Sequence, residues 1–122
     1  MIRAAGLLLV LTAPFAAAAA PALGPAYGDS MVLQRGQPVV LEGSALPGTT
    51  VTAELGGDRA SARADKAGRF AIALPAQSAS ALPQTLTLAD ATGAKTFGNV
   101  LFGDVFLCSG QSNMELPVTR AL

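Results

Sequence analysis

The sequence predicts a mainly β protein: a small antiparallel β-sandwich followed by the first strand and loop of an α/β domain. About seven short segments alternate apolar and polar residues, and turn residues separate them at regular spacing, as in β-sandwiches. At Asn99 the alternation gives way to a continuous apolar run, which is typical of a strand buried on both faces of a parallel sheet. We therefore place the sandwich at residues 23–98 and the start of a second domain at residues 99–122.

Residues 1–22 are typical of a secretory signal peptide. Arg3 supplies the positive charge, residues 4–11 form the apolar segment, and Pro14 precedes an alanine tract. The alternative is a membrane helix, which needs ~20 uninterrupted apolar residues. Pro14 and Pro21 leave a shorter span. We expect export to the periplasm or the extracellular space, with no membrane attachment once the leader is removed.

The composition points away from nucleic-acid binding. Eight basic and eight acidic residues cancel, and charged residues make up 13% of the chain, about half of the usual ~25%. Trp is absent and Phe and Tyr are few, so the aromatic platforms on which single-stranded nucleic acids or many glycans stack are scarce.

Five strands are predicted before residue 75. They are Met31–Arg35, Pro38–Gly43, Thr49–Leu55, Arg59–Ala64 and Arg69–Leu74. Tight turns join the first strand to the second and the fourth to the fifth, so each of these pairs is expected to form a hairpin. In the turn before the third strand, Gly48 occupies a position that requires a positive φ.

Two more strands are predicted after a Ser/Ala/Pro loop at residues 75–83. Gln84–Ala89 alternates, Asp90–Gly93 is a turn, and Ala94–Phe97 is the last short strand of the sandwich. Because alternation leaves each strand one apolar face, that face is expected to point inward. The residues expected inside are Val51, Leu55, Phe70, Ile72, Leu74, Leu86 and Leu88.

Val105–Cys108 is an uncharged apolar run, and a polar turn that contains Gly110 follows it. In an open α/β sheet, ligands bind just beyond the carboxyl ends of the strands. Ser112 occupies that position. Cys108 is the one cysteine of the chain, and within the strand it is expected to be a small buried hydrophobe. The alternative, a catalytic thiol, has no His partner in the sequence.

The block Ser-Gly-Gln-Ser-Asn-Met at residues 109–114, directly after such a strand, resembles the nucleophile block of the sialate O-acetylesterase family, a branch of the SGNH (GDSL-like) hydrolases. Similar signatures of that family fall at Met31–Arg35, Gly43, Pro47-Gly48, Asp65, Gly68–Phe70 and Gly103–Val105. The resemblance covers almost everything after the leader. It implies an exported carbohydrate O-acetylesterase whose partner is an O-acetylated carbohydrate, with no metal or organic cofactor.

The resemblance also implies roles for the residues of this block. Ser112 would attack the acetyl carbonyl, and its own backbone N–H would supply part of the oxyanion hole. Gly110 would allow close approach of the backbone to the ligand, and Gln111 and Asn113 would line the site. The sequence has no His, so no Ser-His relay can be assembled from it. We therefore expect this chain to be the N-terminal fragment of an esterase and to be inactive by itself.

A structural role for Ser112 is the alternative, because Ser112 and Glu115 have the spacing of a helix capping box. Pro117 would then be the fifth helical residue, where its missing N–H and its ring disfavour a helix. A helix beginning at Pro117 fits better and leaves Ser112 on a loop.

Ser30 is a second serine to weigh, because Gly28-Asp29-Ser30 matches the first three letters of the GDSL motif. Met31 replaces the Leu of that motif, and a Pro/Ala/Gly linker precedes it where a nucleophile needs a buried strand. Ser30 is therefore interpreted as a turn residue before the first sandwich strand.

A non-catalytic function is also open: a secreted β-sandwich that binds glycans or acts in adhesion, with residues 99–122 as an extra strand and tail. The absence of His favours it. The change of pattern at Asn99 favours the esterase, because a tail has no reason to carry an apolar strand and a Gly-Gln-Ser-Asn turn.

Overall fold

The computed structural model describes residues 19–110, which contain eight β-strands in two sheets. The strands are β1 (Ala22–Leu23), β2 (Val32–Gln34), β3 (Val39–Ser44), β4 (Thr50–Leu55), β5 (Asp58–Arg63), β6 (Arg69–Leu74), β7 (Ser80–Asp90) and β8 (Gly93–Gly103). No helix within these residues could cross a membrane. The mainly β fold expected from the sequence is confirmed.

The two sheets have the strand orders β1-β3-β6 and β2-β8-β7-β4-β5. All neighbouring strands run antiparallel except β2 and β8, which are parallel. A fully antiparallel sandwich was the expectation, and this pair corrects it. Three residues of β2, Val32 to Gln34, lie in register with Leu101 to Gly103 of β8.

Alternate residues of the longer strands form the core between the sheets. In β6, for example, Phe70, Ile72 and Leu74 are buried while the residues between them are exposed. All seven side chains expected to point inward are buried. The remaining members of the core are Val39, Leu41, Ala53, Ala64, Phe97, Val100 and Phe102. None of the buried residues in the described part of the chain is polar or charged, so hydrophobic burial is the main source of stability.

The strand pairing differs from the expected hairpins. β2 and β3 belong to different sheets, and so do β5 and β6. The hairpins that do form join β4 to β5 through Gly56 and Gly57, both of which have a positive φ, and β7 to β8 through the predicted turn between Asp90 and Gly93. The turns at Gly36 and Gly68 instead carry the chain from one sheet to the other. Alternation reveals which face of a strand is buried, but it does not reveal which strand pairs with it.

The predicted domain boundary near Asn99 falls inside β8. Val100 and Phe102 are buried in the sandwich core, and Leu101 pairs with Val32 on the edge strand β2. Residues 99–103 are therefore sandwich residues, and the strand ends at Gly103. On the other face of β8, Leu101 is half-buried beside Val32, its register partner on β2.

Two glycines that carry the family resemblance have a packing role in the sandwich. A Cβ on Gly43 would collide with the carbonyl oxygen of Ala22 and would lie 2.7 Å from Cζ of Phe70. Gly68 has a φ of 77°, and a Cβ there would lie 2.5 Å from the carbonyl oxygen of Ala45. Both sites therefore need a residue without a side chain.

Replacing Gly68 by alanine is expected to destabilise the sandwich by more than the left-handed conformation alone explains. Gly36 provides the matched control, because its φ is 73° and nothing lies within 4 Å of a Cβ built there. We expect Gly36→Ala to cost about 1–2 kcal/mol and Gly68→Ala at least ~1 kcal/mol more, since backbone must move away from the new methyl group. Urea unfolding of the two variants measures the difference, and equal losses would contradict this account of Gly68.

Candidate functional site: the end of β8 and the segment that follows

The residues proposed for catalysis fall mostly beyond the described part of the structure. Ser112, Gln111 and Asn113 lie outside residues 19–110. Gly110 is exposed, and its φ of 159° is an extended conformation that any residue can adopt. The role of Gly110 in a close approach to the ligand therefore stays a prediction, as do the roles of the other three.

The apolar run before this block is exposed. Val105, Phe106 and Leu107 are 52%, 83% and 95% exposed, and the described residues after Gly103 form no strand. Cys108 is exposed too. The expectation of a buried strand with a buried cysteine is therefore not met among residues 105–108. The composition of this run suits a buried strand, but no other part of residues 19–110 covers it.

The first residues of this segment are nevertheless held to the sandwich. Nε of Arg35 lies 2.8 Å from Oδ1 of Asp104, and Nη2 of Arg35 lies 3.0 Å from Oδ2, so the ion pair is bidentate. The N–H of Val105 donates to Oε1 of Gln34 at 2.7 Å. One residue earlier, the N–H of Arg35 donates to the carbonyl oxygen of Gly103 at 2.9 Å. Gly103, Asp104 and Val105 are thus bound by Gln34, the last residue of β2, and by Arg35, which follows it.

The charge state of Asp104 suits this pairing. The hydrogen bonds and charge of Arg35 hold the pKa of the Asp104 carboxyl below its usual range, although partial desolvation opposes the shift. The same contact raises the pKa of Arg35. Since an ordinary Asp titrates near pH ~3.9, the ion pair forms throughout the neutral range and is lost only as the pH falls through the lowered pKa of Asp104.

Ser30 lies in an exposed turn and bonds to β8. Its N–H donates to the carbonyl oxygen of Gly98 at 2.9 Å, and its Oγ accepts from Nδ2 of Asn99 at 2.9 Å. Oδ1 of Asp29 accepts from the N–H of Gly98 at 2.8 Å. This geometry agrees with the interpretation of Ser30 as a turn residue, because its backbone N–H and its hydroxyl both bond to β8.

Asp65, another residue of the family resemblance, is also committed to a turn. Its Oδ1 accepts from the backbone N–H groups of Ala67 and Arg69, each at 2.8 Å. The N–H of Arg69 is the main cause that lowers the pKa of Asp65. Within residues 19–110, His, Cys, Asp and Glu form no cluster that could hold a metal ion.

Gln34 and Arg35 are the residues whose contacts sequence reasoning missed. Both belong to the Met31–Arg35 signature, and Asp104 and Val105 belong to the Gly103–Val105 signature. The sequence therefore marked both halves of this contact as family signatures, but it did not indicate that they touch, because 69 residues separate Arg35 from Asp104. Only the parallel pairing of β2 with β8 brings the two signatures together.

One solved structure similar to this chain is that of a carbohydrate acetylesterase from Xanthomonas citri. The two sequences are 37% identical, the TM-score is 0.75, and the match covers 80% of this chain and 22% of that one. This chain thus corresponds to about a fifth of the length of that enzyme. No family model and no curated protein matches the chain.

Proposed function

We propose that this chain is the N-terminal part of an exported carbohydrate O-acetylesterase of the SGNH type, with Ser112 as the nucleophile. The observation that carries the proposal is the 37% identity to a carbohydrate acetylesterase over 80% of the chain. Because the solved protein that shares this sequence and fold is an acetylesterase, the likeness favours an esterase over a sandwich module that binds without catalysis.

The proposed reaction is acyl transfer in two steps. Oγ of Ser112 attacks the acetyl carbonyl, its proton passes to a base, and the sugar hydroxyl leaves with a proton. Water then hydrolyses the acetyl-serine and releases acetate. The N–H of Ser112 stabilises the oxyanion of each tetrahedral intermediate, a contribution of ~10² to 10³ in rate for one such donor. The base is a His that lies beyond this sequence, since residues 1–122 contain none.

The proposed substrate is an O-acetylated carbohydrate. The sialate O-acetylesterase resemblance favours acetylated sialic acids, and acetylated plant polysaccharides are the alternative within the same chemistry. Assays with both acetylated substrates distinguish them, because the preferred one has the higher kcat/KM.

The exposed apolar run supports a role for residues 105–108 as a strand of a larger sheet. Val105, Phe106 and Leu107 present apolar surface to solvent, and such surface is normally covered in a stable protein. In this proposal, the remaining strands and helices of the catalytic domain cover it.

The 122-residue chain alone is expected to show no hydrolysis of p-nitrophenyl acetate above the rate of buffer. Its sequence has no His to activate a serine, and triad-deficient enzymes keep ~10³ to 10⁴ over water only through oxyanion and binding groups that are mostly missing here. Turnover that survives purification and disappears in Ser112→Ala would contradict the proposal that catalysis needs the rest of the protein.

A secreted module that binds glycans without hydrolysing them is the second candidate, and the absence of His is what favours it. The genomic DNA beyond the codon of Leu122 separates the two. An in-frame continuation that encodes an Asp-x-x-His segment supports the esterase, and a stop codon directly after Leu122 supports the module.

A further inference from the structure

The first two residues after the sandwich are both bound to it. β8 ends at Gly103, the next residue is bound through a bidentate ion pair to Arg35, and the residue after that donates its N–H to Gln34. Flexible connections between domains are normally rich in Gly, Pro and polar residues and make few contacts with either domain. The connection here begins with two consecutive residues that are both tied down.

Stability alone does not account for these contacts. The side chains of Arg35 and Asp104 are 50% and 48% exposed, and exposed ion pairs add little to the free energy of unfolding. A bidentate guanidinium–carboxylate pair does, however, define direction, because two parallel N–H···O bonds fix the plane of the carboxylate. The bond from Val105 to Gln34 adds a third fixed point.

We propose that Gln34 and Arg35 are positioning residues that hold the chain leaving β8 in one direction and make a rigid joint of Asp104 and Val105. This proposal deepens the proposed function and rests on it for the role of Ser112, which lies seven residues after Val105. The joint itself is independent of any esterase activity.

The direction of the chain at Val105 matters because small angular errors grow with distance. An extended segment advances ~3.3 Å per residue, so seven residues can span ~23 Å. A change of ~10° at the joint then displaces the far end by ~4 Å, whereas a misplacement of ~1 Å near the reacting atoms can cost ~10² in rate. A joint without slack at Asp104 and Val105 fixes the direction in which the chain leaves the sandwich.

Spin-label distances in the 122-residue chain test the joint directly. One nitroxide is placed on Val105→Cys and the other on Ala73→Cys, near the end of β6, in a Cys108→Ser background. Both positions are exposed, and Cys108 is the only native cysteine. We expect a single narrow distance distribution, and we expect its width to double at least when Gln34→Ala and Arg35→Ala are combined.

Matched controls separate the joint from general loosening. Gln37 and Arg59 are also exposed and take no part in the contacts at Asp104 and Val105, so Gln37→Ala combined with Arg59→Ala should leave the width unchanged. Arg35→Asp alone should broaden the distance distribution. Combining it with Asp104→Arg exchanges the two charges and should make the distribution partly narrow again. The melting temperature should fall by no more than about 4–8 °C in these variants, because an exposed pair contributes at most ~1 kcal/mol to a domain of this size.

Amide exchange provides a second measurement on the single variant Gln34→Ala. The N–H of Val105 should exchange at least ~10-fold faster, while the exchange rate of the N–H of Leu101, which donates to the carbonyl oxygen of Met31 at 3.1 Å, should be unchanged.

A spin-label distance distribution that is already broad in the unsubstituted chain would overturn the proposal. So would an unchanged width and unchanged Val105 exchange in the substituted chains. Neither outcome depends on catalysis, so failure of the joint is distinguishable from failure of the proposed esterase function.

Discussion

Replacing Ser112 by alanine in the protein encoded by the full reading frame is expected to lower kcat for deacetylation by at least ~10³. The substitution removes the oxygen that would form the acetyl-enzyme, and removing the nucleophile of a comparable hydrolase costs ~10⁶ in kcat. The fold should stay intact, because the change deletes one hydroxyl group. Steady-state kinetics on an acetylated substrate, together with circular dichroism, measure both effects.

Ser30→Ala is the matched control for Ser112→Ala. Ser30 accepts a hydrogen bond from Asn99 in an exposed turn, so its loss should change stability by under ~0.5 kcal/mol and leave kcat nearly unchanged. If Ser112→Ala keeps most of its activity while Ser30→Ala loses it, the assignment of the nucleophile is wrong.

Replacing Leu86 by alanine is expected to be among the most destabilising single changes in the sandwich. Leu86 is 0% exposed and lies between Leu55 of β4 and Phe97 of β8 in the five-stranded sheet. Truncating a buried leucine costs the transfer free energy of its side chain and leaves a cavity, which together amount to ~2–5 kcal/mol. Urea unfolding of the variant measures the loss.

Leu82→Ala supplies the control on the same strand. Leu82 is 76% exposed, so its truncation should change the free energy of unfolding by less than ~0.5 kcal/mol. Similar losses for Leu86→Ala and Leu82→Ala would contradict the placement of the core.

The sequence predicts the inward face of this sandwich well and its pairing poorly. Residues such as Phe70 and Leu86 could be placed because a period of two has only one apolar face to bury. The parallel contact of β2 with β8 could not be placed, since it joins residues about 70 apart in sequence and no local pattern marks it. The boundary was placed too early for a related reason: Leu101 makes the run appear continuously apolar, although its apolar side chain lies beside β2 on the outer face of the sheet.

The candidate site was predictable only in part. Ser112 is a prediction from its resemblance to a family motif and from its position after an apolar run, and both are properties of the sequence. The contacts of Gln34 and Arg35 with Asp104 and Val105 needed the fold, because a polar pair at the surface leaves no periodic signal. Gly43, Gly68 and Asp65 belong to the same resemblance, but the structure gives them packing and turn roles, so a shared motif does not by itself identify a catalytic residue.

Labelling with a fluorophosphonate probe is the most direct test of the proposed nucleophile in the protein encoded by the full reading frame. Trypsin cleaves after Lys95 and Arg120, so Ser112 falls in a peptide that also contains Ser109, and tandem mass spectrometry must locate the label within it. We predict a single label on Ser112, and no label on this peptide in Ser112→Ala. A label on Ser109, on Ser30 or on a serine outside residues 1–122, with Ser112 unmodified, would contradict the assignment of Ser112 as the nucleophile.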